Sequence, residues 1–300
     1  MRLVMATRRS ALALAQSRAF AEMLVKAPQN EGVLVSELPI VTSGDKTQDK
    51  PLQDIGGKGL FIKELEEALF EGLADFAVHS MKDVPAELLP GLALACVPAR
   101  EDPRDVLVSK TGARLADLPS GAVVGTSSLR RSVAVLTARP DLRVEPVRGN
   151  VDTRLRKVTE GPLDAVILAL AGLKRLGIDN RATEILDPSI CLPAVGQGAL
   201  GIECREEDEL TIAAVARVSD KEAWTCVAAE RAVMAAVSGS CRTPVAAFAE
   251  REGESMRLRA MLAEPDGTRP RSGERRIAWP SDLAFAERVG RDLGDELRRG

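Results

Sequence analysis

Cys241 has the residue type and the setting for covalent chemistry. It lies in the segment SGSCRTP (238–244), where small residues precede it, Arg242 follows it and Pro244 closes the turn. An adjacent guanidinium favours the thiolate, which is the nucleophilic form of cysteine. The segment therefore predicts a covalent attachment point, with an incidental surface thiol as the alternative.

Asp83 is a carboxylate at the end of a predicted strand, DFAVHS, with Lys82 before it. In that position it could transfer protons or stabilise a developing cation. A plain salt-bridge partner for nearby arginines is the alternative. His79, the single histidine of the chain, lies inside the apolar strand, which favours a structural role. Ser-His-Asp and Cys-His chemistry is therefore excluded.

Arginines recur where a predicted strand gives way to a helix. They occur in TRRS (7–10), TSSLRR (126–131) and RGN (148–150). A cation in the first turn of a helix opposes the helix dipole, so stability alone would not favour it there. Backbone N–H groups, hydroxyl caps and guanidiniums at one sheet edge predict a site for a ligand with several carboxylates or phosphates. Solvated surface arginines are the alternative.

The glycine-rich stretch GGKG (56–59) precedes a predicted helix. It lacks the pattern of a phosphate-binding Walker motif, because neither Gly59 nor Leu60 supplies the Ser or Thr that must follow the lysine. A mobile lid over residues 43–59 and a simple turn are both compatible with it.

The composition excludes several classes of function. A net charge of -3 provides no general attraction for DNA or membranes, and 3% aromatic residues without tyrosine argue against stacking on single-stranded nucleic acid. Arg8 and Arg9 interrupt the N-terminal apolar stretch, so neither a signal peptide nor a transmembrane helix is expected. One histidine and the absence of CxxC pairs make a metal site unexpected. Four cysteines are expected to be reduced and mostly buried: Cys96, Cys191, Cys204 and Cys226.

Strand-like and helix-like stretches alternate over the first two thirds of the chain, which predicts parallel sheets covered by helices on both faces. The first helix after GGKG should present one apolar face made of Phe61, Leu65, Ala68, Leu69 and Leu73. The last eighty residues differ: a helix, strands joined by turns such as PDG (265–267), and an amphipathic helix with Ser281 as its N-cap predict a small α+β domain.

Two stretches indicate crossings between domains: 97–105, which is rich in proline and charge, and 192–203, which is rich in proline and glycine. A strand after the second crossing could return to the first domain, which would give two lobes joined by two hinges. The predicted domains are an α/β domain of residues 1–98 and 199–216, an α/β domain of residues 104–192, and an α+β domain of residues 220–300.

Eight motifs occur together and in order: GGKGLFIKELE, HSMKDVP, EDPRD, GTSSLRR, RGNVDTRL, LAGLKRLG, LPAVGQGALGIECR and GSCRTP. They closely resemble the hydroxymethylbilane synthase family, also called the porphobilinogen deaminase family. The resemblance runs from Arg8 to about Pro244 and extends more loosely through the tail. It implies two periplasmic-binding-protein-like, doubly wound lobes joined by two hinges, plus the α+β domain.

The resemblance also implies an activity. The family joins four porphobilinogen molecules head to tail, releases ammonia at each step and hydrolyses the linear tetrapyrrole, hydroxymethylbilane, from a dipyrromethane cofactor. That cofactor is linked to a cysteine as a thioether. A cytoplasmic monomer in tetrapyrrole and haem biosynthesis is implied, with a small-molecule substrate and with no metal, nucleic acid or membrane partner.

Site residues follow from the same motifs. Cys241 matches the cofactor-bearing cysteine, and Asp83 matches the catalytic carboxylate that assists amine loss, steadies an azafulvenium-like cation and takes up the pyrrole proton. Residues that match cofactor contacts are Lys82, Arg130, Arg131, Arg154, Ser128 and Lys58. Residues that match the surroundings of the incoming pyrrole or the growing chain are Arg8, Ser10, Arg148 and Arg175. Three of these, Arg8, Arg148 and Arg175, are also expected to assist Asp83 in catalysis.

The sequence departs from the family at Ser240, where many members have glycine, and at Arg9. Serine at position 240 is unfavourable if that position needs a positive φ. Two competing functions stay open. A non-catalytic two-lobe protein that binds an organic polyanion would explain the arginines but not Cys241 or Asp83, and a phosphate-handling enzyme would use GGKG.

Overall fold

A computed structural model describes residues 1–46, 62–237 and 243–300 of the protein. The chain divides into two compact units, one formed by Met1–Glu101 with Ala199–Thr225 and the other by Asp102–Gly198 with Cys226–Gly300. The strands in chain order are β1 (Arg2–Arg8), β2 (Leu34–Ile40), β3 (Phe76–Ser80), β4 (Leu92–Cys96), β5 (Asp105–Ser109), β6 (Val123–Gly125), β7 (Arg143–Glu145), β8 (Ala165–Ala169), β9 (Glu184–Ile185), β10 (Leu200–Arg205), β11 (Val245–Glu252), β12 (Ser255–Leu262) and β13 (Arg271–Ala278).

The helices alternate with these strands, as the sequence predicts for most of the chain. They are α1 (Ala11–Lys26), α2 (Ser43–Lys46), α3 (Lys63–Phe70), α4 (Leu129–Ala138), α5 (Val151–Thr159), α6 (Leu170–Arg175), α7 (Glu209–Ala216), α8 (Lys221–Ala236) and α9 (Leu283–Arg299).

The first unit is built on a five-stranded sheet with the order β2-β1-β3-β10-β4. One face is covered by α1 and α7, whose Phe20 and Val215 lie in an apolar core with strand residues such as Phe76. The other face is covered by α3, whose Leu65 and Leu69 pack in a second core. Because both faces are covered, the inner strand β3 and its neighbour β1 are almost continuously buried.

The second unit contains two sheets. The five-stranded sheet has the order β7-β6-β8-β5-β9, with Leu155 of α5 and Leu173 of α6 in the core on one face and Val135 of α4 on the other. The three-stranded sheet β11-β12-β13 is an antiparallel meander. Buried and less buried residues alternate along β12, which is typical of a sheet with one covered face.

Helices α8 and α9 contribute to the core against that meander, where buried residues include Val233 and Leu293. Gly290 is needed where the helices meet, because a Cβ there would lie 2.1 Å from the Ala229 carbonyl oxygen. Two doubly wound sheets and a C-terminal α+β part confirm the predicted fold class. The division into three domains with the boundaries given above stays a prediction.

Three local predictions are wrong. The sheets are mixed rather than parallel: β10 is antiparallel to β3 and β4, and β5 is antiparallel to β8 and β9, because both strands follow a crossing segment. Leu73 is 56% exposed, since α3 ends at Phe70 and Gly72 adopts φ 68°. Asp282 rather than Ser281 caps α9, and its Oδ1 accepts from the Phe285 N–H at 2.8 Å.

Candidate active site

The first sheet brings four predicted site residues to one edge. β1 and β3 are adjacent and parallel, so their C-terminal ends lie at the same edge. Arg8 ends β1, and Ser10 caps α1 by accepting from the Ala13 N–H at 3.3 Å. Lys82 and Asp83 belong to the 3-10 turn Met81–Asp83 that follows β3, and both are exposed. Two cations, a hydroxyl and a carboxylate therefore share this edge.

The turn that carries Asp83 is anchored by its buried neighbour. Met81 is 1% exposed, and its N–H donates to the Ala199 carbonyl at 3.0 Å. The Val84 N–H closes the turn on the Met81 carbonyl at 3.1 Å. Gly201 on β10 leaves room for the methionine, because a Cβ there would lie 2.8 Å from Met81 Cε. The exposed carboxylate is thus presented by a fixed backbone.

A polar network beneath the same edge escaped the sequence analysis. Gln16 of α1 donates to Ser80 Oγ at 2.9 Å, and Ser17 donates to Thr7 Oγ1 at 2.6 Å. Both contacts join α1 to the ends of β1 and β3, which carry Arg8 and the Asp83 turn. Polar residues in the otherwise apolar run SALALAQS were the signal available in the sequence.

The second sheet collects the other predicted residues of the described chain at one edge. β6 is parallel to both β7 and β8, so these three strands end together before α4, α5 and α6. The predicted residues in the loops and helices that follow these strands are Ser128, Arg130, Arg131, Arg148, Arg154 and Arg175. Asp105 lies there as well, because β5 is antiparallel to β8 and its first residue pairs with Ala169.

Arg130 and Arg131 are buried and share one carboxylate. Arg130 Nη1 donates to Asp105 Oδ2 at 2.7 Å, and Arg131 Nη2 and Nε donate to Oδ1 at 2.7 and 3.1 Å. Exposure is 5% for Arg130, 6% for Arg131 and 0% for Asp105. The alternative of solvated surface arginines is therefore wrong for this pair. The unfavourable placement in the first turn of α4 is offset by an anion of the chain itself.

The electrostatics of this cluster leave a positive charge. Burial alone would raise the pKa of Asp105, but the two guanidiniums hold that pKa well below its ordinary value. Burial, followed by the charge of Asp105, raises the pKa of the nearby Cys191 thiol to about 12, so the thiol stays neutral at physiological pH. Two guanidiniums against one carboxylate give Asp105, Arg130 and Arg131 a net charge of plus one.

The remaining arginines of this edge are half-buried, and two of them donate to backbone carbonyls. Arg154 Nε donates to the Gly149 carbonyl at 2.9 Å, and Arg175 Nη2 donates to the Gly198 carbonyl at 2.7 Å. Arg148 lies between β7 and α5. Lys58 and Cys241 lie outside the described residues, together with the GGKG motif and Phe61.

Asp105 and Gln197 are the clearest omissions of the sequence analysis at this edge. Gln197 is 1% exposed, and its Nε2 donates to Asp105 Oδ1 at 2.9 Å and to the Pro103 carbonyl at 2.6 Å. Both residues lie in the stretches interpreted as crossings. An aspartate placed directly before the apolar run VLV was the available signal for a buried carboxylate.

The single histidine belongs to a buried acidic cluster in the first unit. His79 Nε2 lies 2.9 Å from Glu203 Oε2, and both side chains are buried. Glu66 of α3 is also buried, and burial, then the charge of Glu203, raises its pKa to about 6. The four described cysteines are buried thiols, as expected for three of them and also true of Cys204.

Within the described ranges, no group of three or more histidine, cysteine, aspartate or glutamate side chains is arranged to hold a metal ion. None of the helices in those ranges has the length and apolarity needed to cross a membrane.

Two family models together match almost the whole chain. Residues 3–213 match "Porphobilinogen deaminase, dipyromethane cofactor binding domain", and residues 224–299 match "Porphobilinogen deaminase, C-terminal domain". Solved structures with a similar arrangement include a YaeC-family lipoprotein from Enterococcus faecalis (16% identity, TM-score 0.45, 74% of this chain and 93% of that one). Another is a Salmonella typhimurium periplasmic binding protein with high arginine specificity (17% identity, TM-score 0.41, 74% and 93%).

Sequence relatives extend over the full length. A protein of Sorangium cellulosum named porphobilinogen deaminase is 66% identical over 298 residues, covering 99% of both chains. A protein of Albidiferax ferrireducens with the same name is 49% identical over 296 residues, covering 99% of this chain and 93% of the relative. The chain belongs to the porphobilinogen deaminase family.

Proposed function

We propose that the chain is a hydroxymethylbilane synthase, a transferase that deaminates porphobilinogen and joins four molecules of it head to tail into hydroxymethylbilane. The observation that carries this proposal is the buried cluster in which Arg130 and Arg131 share Asp105 and retain a net positive charge. That cluster lies in the part of the chain matched by a model for dipyrromethane cofactor binding. Porphobilinogen carries an acetate and a propionate, so substrate and product are both polyanions.

The residues of the second edge fit a dipyrromethane cofactor. A buried cluster with one unbalanced positive charge favours a carboxylate-bearing ligand, since charge burial is unfavourable without a partner. The residues proposed to hold the cofactor are Cys241, Lys82, Arg130, Arg131, Arg154, Ser128 and Lys58. Bound as a thioether on Cys241, dipyrromethane supplies the pyrrole carbon that begins the chain.

Asp83 performs the proton chemistry in this proposal. Its side chain is exposed at the edge of the first sheet, so a substrate can reach it. The carboxylate stabilises the positive charge that develops on porphobilinogen as the amine leaves, and it accepts the pyrrole proton. The buried Met81 contacts fix the backbone of the turn, which reduces the reorganisation needed during the reaction.

Four residues orient the acetate and propionate groups of the substrate: Arg8, Ser10, Arg148 and Arg175. Guanidiniums suit this role, because their fixed fork of donors matches the two oxygens of a carboxylate. Arg8 and Ser10 lie at the same edge as Asp83, and the other two lie at the edge of the second sheet. A carboxylate bound by the residues of either edge has less freedom to move.

A non-catalytic polyanion-binding protein is the second candidate function. The clustered arginines favour it equally, whereas Asp83 and Cys241 have no role in it. The main proposal includes a monomeric state and a location in the cytoplasm. Light scattering of the purified protein at working concentration tests the monomeric state.

The decisive experiment is the intact mass of the denatured protein beside Cys241→Ser. The proposal expects the parent to carry extra mass equal to two linked pyrrole units, and the variant to lack it. Cys226→Ser, which changes a buried cysteine, is the matched control and should retain the mass. A parent that stays unmodified after incubation with porphobilinogen would favour simple polyanion binding.

A further inference from the structure

Glu230 is a buried carboxylate for which the proposed chemistry has no use. It lies on α8, and its residue exposure is 0%. Its Oε1 accepts from the Ala249 N–H at 2.9 Å, and its Oε2 accepts from the Gly196 N–H at 2.7 Å. Each oxygen of this carboxylate therefore accepts from one particular backbone N–H group.

Glu230 and Ala249 lie before and after the proposed cofactor cysteine in the sequence. Glu230 lies on the helix that precedes the segment containing Cys241, and Ala249 lies on β11, which follows it. They are 19 residues apart in the sequence. Glu230 therefore joins α8, which precedes this segment, to β11, which follows it.

The second oxygen joins the same helix to the crossing segment. Gly196 adopts φ 67°, and its neighbour Val195 is 4% exposed and packs in the C-terminal core with residues such as Val233. A polar contact and an apolar contact thus attach this segment to the part of the chain that carries Cys241.

The crossing segment continues directly into the arginine cluster. Gln197 donates to Asp105 Oδ1 at 2.9 Å, and Asp105 binds both Arg130 and Arg131. The Gly198 carbonyl accepts from Arg175. A short run of hydrogen bonds therefore connects the flanks of the cofactor cysteine to the guanidiniums proposed to bind the cofactor and the substrate.

We propose that Glu230 is a positioning residue: through Gly196 and Ala249 it holds α8 and β11, the elements on either side of the Cys241 segment, in fixed register with the crossing segment that leads to the arginine cluster. This inference rests on the proposed function, in which Cys241 carries dipyrromethane. A buried carboxylate adds little to stability, because apolar residues of similar volume often stabilise a core equally well. It is a good device for register, because two acceptor oxygens specify two particular N–H groups.

Glu230→Gln is the sharpest substitution. It keeps the size of the side chain but replaces one acceptor oxygen with an NH2 donor, which faces a backbone N–H and loses that bond. Leu258→Ala is the matched control: it truncates a side chain of the same core on β12, which is not directly connected to the Cys241 segment. Both proteins are compared at temperatures that give equal folded fractions by circular dichroism.

Three quantities are measured: the fraction of protein with covalent cofactor mass, and kcat and KM per loaded molecule. Glu230→Gln is expected to lower loading or kcat about tenfold or more relative to Leu258→Ala, because misplacement by about 1 Å can reduce a rate 100-fold. KM should change less than kcat. If Glu230→Gln does not fold, Val195→Ala weakens the same attachment and should show the same pattern against Leu258→Ala.

Equal loading and equal kcat in the variant and the Leu258→Ala control would overturn the inference, because loss of stability would then account for every effect. The parent protein separates the two proposals. A loaded, active parent with an indistinguishable Glu230→Gln variant contradicts the positioning role alone. A parent without covalent mass contradicts both proposals.

Discussion

The two five-stranded sheets have the same topology, but the aspartate at the edge of the first is exposed and the aspartate at the edge of the second is buried. At the first edge Asp83 is exposed on a turn after β3, next to an exposed lysine. At the second edge Asp105 is fully buried at the start of β5 and is shared by two buried arginines. Parallel strands bring polar residues to both edges, and antiparallel β5 adds Asp105 to the second. Burial then decides what each residue can do.

This difference in burial gives the two aspartates different roles: the exposed one can react, and the buried one is part of a fixed group of charges. An exposed carboxylate can meet a substrate and exchange protons, whereas Asp105 is enclosed and its pKa is held low by Arg130 and Arg131. A buried ion cluster keeps its geometry during a reaction, so its net positive charge can act on a ligand with little reorganisation. The first edge therefore suits chemistry, and the second suits binding of an anion.

Removing the buried carboxylate should have the largest effect. Asp105→Asn leaves two buried guanidiniums without their anion, and breaking such a cluster costs about 3–5 kcal/mol of unfolding free energy. Urea denaturation at neutral pH measures the loss. Asp117→Asn, an exposed aspartate in the same unit, should change stability by no more than about 0.5 kcal/mol.

The pH dependence of this difference has a definite sign. The folded-state pKa of Asp105 is lowered, so its contribution is complete above the unfolded-state pKa of about 3.9 and is lost as pH falls below it. The gap between parent and Asp105→Asn should therefore narrow in acid. A gap that is constant from neutral pH down to about pH 3 would contradict the ion-pair account.

Asp83→Asn should show the opposite profile, with stability nearly unchanged and catalysis lost. We expect kcat to fall about 100-fold, equivalent to ~2.7 kcal/mol of transition-state stabilisation, while the cofactor mass is retained. Steady-state turnover with porphobilinogen measures it. Glu87→Gln, an exposed acid shortly after the same strand, should keep parental activity. Near-parental turnover of Asp83→Asn would remove the proposed role.

The order of strands and helices and most of the edge residues were accessible from the sequence, because strand-to-helix junctions are local features. Asp105 was not, since its place depends on β5 running antiparallel to β8, which brings the start of one strand to the ends of three others. Ser281 and Asp282 are both good caps, and only the backbone at the start of α9 selects the second. The roles of Cys241 and Asp83 come from the resemblance of their motifs to the family, and they stay predictions.

Glu66 provides the smallest and most discriminating test, because it is a buried acid without the arginine pair that Asp105 has. Burial and the charge of Glu203 raise its pKa to about 6, so the folded state resists its ionisation. The penalty is absent below the unfolded-state pKa of about 4.3, grows as pH rises to about 6 and is constant above that. Its pKa is also raised by Glu67 and lowered by His79.

Glu66→Gln removes that penalty with almost no change of shape. Unfolding free energy should therefore rise by about 1 kcal/mol at about pH 7.5, and the gain should vanish near pH 4. Glu67→Gln changes the exposed neighbour and should alter stability by less than about 0.5 kcal/mol at either pH. A lower unfolding free energy of Glu66→Gln at pH 7.5 would mean that Glu66, like Asp105, stabilises the fold as an anion. The buried acids of the two units would then not differ in the way proposed.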